Sequence, residues 1–146
     1  MSSIQSRVAV QGQISVPAEV RRQLGAGPGS VLVRDDVAQV AAAEAFIADG
    51  AWVSQLVLAE TIWVLDAVHE RNAAQLAAAI EMLLNHERLT IQEADVVKRS
   101  LEHFRARPAL GFSDCLVLDV ARKAGHVPLE TFGRALSKLE GTQRVQ

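Results

Sequence analysis

The chain has 146 residues, of which 49% are apolar and 22% charged. That balance belongs to a globular protein with material for a sizeable core, and it excludes a disordered or highly charged chain. A membrane span needs about 20 consecutive apolar residues, but the runs at 56–59 and 62–65 are cut by Glu60, Thr61 and Asp66. The opening Met-Ser-Ser-Ile-Gln-Ser has no signal-peptide character, and the single cysteine, Cys115, excludes an internal disulfide. A cytoplasmic protein without a membrane partner is therefore expected, with Cys115 in a helix core. The net charge of −2 is uneven: residues 1–34 hold four arginines against Glu19 alone, net +3, and the remainder holds 11 basic against 16 acidic residues, net −5. A basic front suits a polyanion, although three net charges serve solubility equally well.

Arg7-Val-Ala-Val10 and Gln13-Ile-Ser-Val16 alternate in polarity around Gln11-Gly12, the pattern of a tight hairpin. Pro17 opens a helix over 18–24, where its missing N–H costs little, and Gly25 stops it. Val20 and Leu24 form a narrow apolar stripe, with Arg21 and Arg22 off it. Gly27-Pro-Gly29 then makes a turn into a short β-branched strand, Val31-Leu-Val33. The stretch Val10-Gln-Gly-Gln-Ile-Ser-Val-Pro-Ala-Glu-Val-Arg-Arg-Gln-Leu-Gly-Ala-Gly-Pro-Gly-Ser-Val-Leu32 resembles the SpoVT/AbrB/MazE family of swapped-hairpin DNA-binding antitoxins and regulators. The resemblance implies operator DNA as a partner, with contacts from Arg7, Arg21 and Arg22; a solvated arginine pair is the alternative for the last two. A Lys common in the family before the glycine is Gln11 here, and the family's second hairpin does not continue past Val33.

From Asp36 the pattern changes to helices alternating with brief strands. Helical spacing is expected over 37–48, 56–68, 73–84, 94–105 and 115–123, with strands at 52–53, 89–91, 126–131 and the earlier 31–33. Ser54 is expected to cap the second of these helices and Ser113 or Asp114 the last, with Gly125 ending it. Pro128 is an awkward member of the final strand. This order predicts an α/β fold: an open, mostly parallel sheet with flanking helices over residues 31–146, preceded by a small hairpin–helix element over 1–34.

Two carboxylates invite chemistry. Glu60 has Leu56, Val57, Trp63 and Val64 three and four residues away, and an unpaired carboxylate in an apolar setting costs several kcal/mol. A metal or an ion pair would each answer that need. Asp114 stands at a predicted helix start, where capping and the helix dipole are sufficient reason for an acid. His69, His86, His103 and His126 lack metal-ligand spacing, and Trp52 and Trp63 read as core.

Together, Ser54-Gln-Leu-Val-Leu-Ala-Glu60, Phe112-Ser-Asp-Cys-Leu-Val-Leu118 and Pro128-Leu-Glu-Thr-Phe-Gly-Arg-Ala-Leu136 resemble the PIN-domain ribonucleases, most closely the VapC-type toxins. The resemblance implies an endonuclease acting on single-stranded RNA with Mg²⁺ or Mn²⁺, in which Glu60 and Asp114 are metal ligands and catalytic residues. It also implies homo-oligomers. The family's first acid, in its first strand, has no counterpart here: the two possible alignments put Pro28 or Leu24 in its place. The acid of a Thr-Phe-Asp-Arg motif is Gly133 in Thr131-Phe-Gly-Arg134. The sequence thus reads as a fused or remnant antitoxin–toxin protein with an impaired metal site. Its rivals are a working nuclease in which Asp35, Asp36 or Asp119 substitutes as ligand, and a DNA-binding autoregulator carried by residues 1–34.

Overall fold

The computed structural model describes residues 7–8, 41, 45, 47–67 and 70–146. By internal contacts the chain divides into two compact units, Met1–Gln92 and Glu93–Gln146.

In the first unit, β1 (Arg7–Val8), β2 (Ala51–Val53) and β3 (Leu89–Ile91) form a parallel sheet in that order, with Arg7 opposite Ala51, and Ala51 opposite Leu89. Ala51 and Val53 are buried and Trp52 is half-buried, the period-two alternation of a strand. Two helices follow β2: α1 (Gln55–Ala67) and α2 (Ala73–Asn85). The α1 start is the expected one, since the Ser54 hydroxyl oxygen accepts from the Val57 N–H at 3.2 Å. A capping box opens α2: Asn72 Oδ1 accepts from the Gln75 N–H at 2.9 Å, and Gln75 Oε1 accepts from the Asn72 N–H at 3.0 Å. The buried stripes are Leu58, Ile62 and Leu65 on α1 and Leu76, Ile80 and Leu83 on α2, each at i, i+4, i+7. Each such side chain contributes about 1.5–3 kcal/mol of transfer free energy. Gln92 ties the ends of β2 and β3 to α1: its N–H donates to the Val53 carbonyl at 2.8 Å and its Oε1 accepts from the Gln55 N–H at 3.0 Å.

Arg7–Val8, read from the sequence as part of a hairpin, pairs in parallel with β2. The neighbour of β2 on that side is β1. Residues 31–33, the hairpin partner at 13–16, and the helix bearing Arg21 and Arg22 lie outside the described residues. Ala41, Ala45, Ile47 and Ala48 are helical, within the span expected at 37–48.

The second unit is built on α3 (Ala94–Ala106) and α4 (Phe112–Ala124), joined by a 3₁₀ turn, Pro108–Leu110. Val97, Leu101 and Phe104 of α3 and Cys115, Leu116 and Leu118 of α4 are buried, and Phe104 meets Phe112 edge-on with ring centroids 6.2 Å apart. Neither Ser113 nor Asp114 caps α4. The helix begins at Phe112, and Gly111, at φ +73°, is its N-cap, a conformation that glycine takes without steric cost. Gly125, left-handed at φ +80°, ends α4 as expected. The last predicted strand starts after Pro128, as β4 (Leu129–Thr131), and pairs in parallel with β5 (Thr142–Arg144). The sequence gives no sign of β5, because Thr-Gln-Arg has no apolar member. Among the described residues every strand pair is parallel, and β4–β5 forms its own two-stranded sheet.

Candidate active site

Glu60 lies in the middle of α1 and is exposed. Its apolar helical neighbours do not bury it, because Leu56 and Trp63 are themselves 72% and 62% exposed. The buried positions Leu58 and Ile62 stand two residues either side of Glu60, about 200° round the helix, so the face with Glu60 turns outward. This corrects the expectation of a desolvated carboxylate in need of a counter-ion, and of Trp63 as core.

Asp114 is also exposed, in the first turn of α4, where the positive end of the helix dipole favours it. Glu60 belongs to the first unit and Asp114 to the second. The Thr131-Phe-Gly-Arg segment follows β4 directly. Gly133 donates its N–H to Thr131 Oγ1 at 3.0 Å, and Phe132 is 78% exposed. A Cβ added at Gly133 would stand 3.3 Å from Thr131 Oγ1 and 3.7 Å from Leu136 Cβ, so a side chain fits there after a small movement of the hydroxyl.

The structure builds its one fully buried carboxylate among the described residues elsewhere, at Asp119 on α4, whose side chain has no exposed surface. Asp119 Oδ2 lies 2.8 Å from His103 Nδ1 and accepts from Ser100 Oγ at 3.1 Å, while Oδ1 lies 3.3 Å from Arg122 Nη1. Arg122 also donates through Nη2 to the Glu140 carbonyl. Gly141 makes room for this: a Cβ there would come within 3.1 Å of the guanidinium. Asp119 is thus engaged in holding α3, α4 and the C-terminal segment together. His103, expected at the surface or in a loop, is half-buried against it. The signal was present as two i, i+3 pairs, Ser100 with His103 and Asp119 with Arg122, on consecutive helices. Burial, and then the charges of Asp119 and Asp114, push the Cys115 thiol up to about 11.

Parallel strands alternating with helices make this an α/β chain. The family model of the PIN domain matches residues 29–141, well over half of the chain, and the protein belongs to that family. No curated protein and no solved structure matches it. PIN domains are generally dependent on divalent metal ions. Among the described residues no group of three His, Cys, Asp or Glu side chains is placed to hold a metal ion. No helix among them is long and apolar enough to cross a membrane.

Proposed function

We propose that this protein is a fused or remnant toxin–antitoxin chain of the VapBC type, whose PIN body has an impaired Mg²⁺ or Mn²⁺ site and serves in binding or assembly rather than in RNA cleavage. The observation that carries this reading is Gly133, in the segment directly after β4, where the Thr-Phe-Asp-Arg motif would place an acid. The N-terminal acid is missing too: residues 1–34 hold Glu19 as their only acidic residue, so neither β1 nor Val31-Leu-Val33 carries a carboxylate. Glu60 and Asp114 supply oxygen ligands suited to a hard cation. Two carboxylates hold Mg²⁺ weakly, because it sheds its waters reluctantly and demands octahedral order. When bound, such a metal supplies activation of water for attack on phosphate.

The net charge of +3 on residues 1–34 supports a second activity for the fusion, weak and salt-sensitive binding of DNA through Arg7, Arg21 and Arg22. A tight sequence-specific complex at physiological salt would argue against that. The test of the main reading is cleavage of single-stranded RNA with Mg²⁺ or Mn²⁺, comparing the unaltered chain with Glu60→Gln. Cleavage lost in that variant would show a working site.

A further inference from the structure

We draw no further inference here: the strongest candidate, the outward stripe of Leu56 and Trp63 beside Glu60 on α1, is an apolar face for which nothing among the described residues shows what covers it.

Discussion

Glu60 and Asp119 are both acids within apolar stretches of sequence, and the fold treats them in opposite ways. Glu60 stands on the outward face of α1 between two exposed apolar side chains, with no carboxylate desolvation to offset. Asp119 is completely buried on α4 and has three side-chain partners on two helices. An acid is buried according to the helix face it occupies and the partners that reach it, and apolar neighbours in sequence do not decide the matter. The acid available to a ligand is the one that the fold leaves without structural work.

The sharpest break of this contrast is in stability. Asp119→Ala removes the partner of His103, Ser100 and Arg122 and should cost about 3 kcal/mol in urea unfolding, less than the upper range for a buried pair because Arg122 can turn to water. Glu60→Ala should stay within about 0.5 kcal/mol, as exposed positions do. Equal effects would dissolve the distinction.

Most of the helices and the strands Ala51–Val53 and Leu89–Ile91 were legible in the sequence, because amphipathic stripes such as Leu58, Ile62 and Leu65 repeat at helical spacing and Ser54 and Gly125 mark ends. Three things were not. β5 depends on pairing with β4, a contact distant from any local pattern. The start of α4 fell at Gly111 because the 3₁₀ turn before it runs directly into the helix. The Asp119 cluster needs two helices to be packed before its members meet. The acids Glu60 and Asp114 were legible as candidates, but their exposure was not.

Adding an acid sharpens the comparison from the other side. Gly133→Asp should tighten Mn²⁺ binding measurably by calorimetry, since the position accepts a Cβ and the motif places a carboxylate there. No gain would contradict the assignment of the site to Glu60, Asp114 and the segment after β4.

Buried Cys115 offers a smaller test on the Asp119 side. With its pKa raised from 9.0 to about 11, the folded chain holds the thiol proton more tightly than the unfolded chain. Stability from this source is complete below pH 9.0 and falls as pH rises toward 11. A thiol reagent should react with Cys115 after denaturation and hardly at all before; prompt labelling of the folded chain would contradict its burial.

The smallest effect belongs to the exposed pair at the ends of α3 and α4. Hydrogen bonding from Lys123 lowers the Asp95 carboxyl, and hydrogen bonding from Asp95 and then Glu93 raises Lys123. Asp95 therefore contributes above its ordinary 3.8 and loses the contribution as pH falls through its folded value, while Lys123 contributes below 10.5 and loses it as pH rises through its own. Asp95→Asn should lower the thermal midpoint slightly at neutral pH and low salt, and leave it unchanged in acid or high salt. A large shift that salt does not remove would mean the pair does more than decorate the surface.

What stands at issue is the proposed impairment of the metal site, with acids at Glu60 and Asp114 and none at Gly133. Incubation of the purified full chain with single-stranded RNA, in Mg²⁺ and in Mn²⁺, beside Glu60→Gln, tests it most directly. Products no more abundant than in the variant are the predicted result; robust metal-dependent cleavage by the unaltered chain that Glu60→Gln abolishes would contradict it.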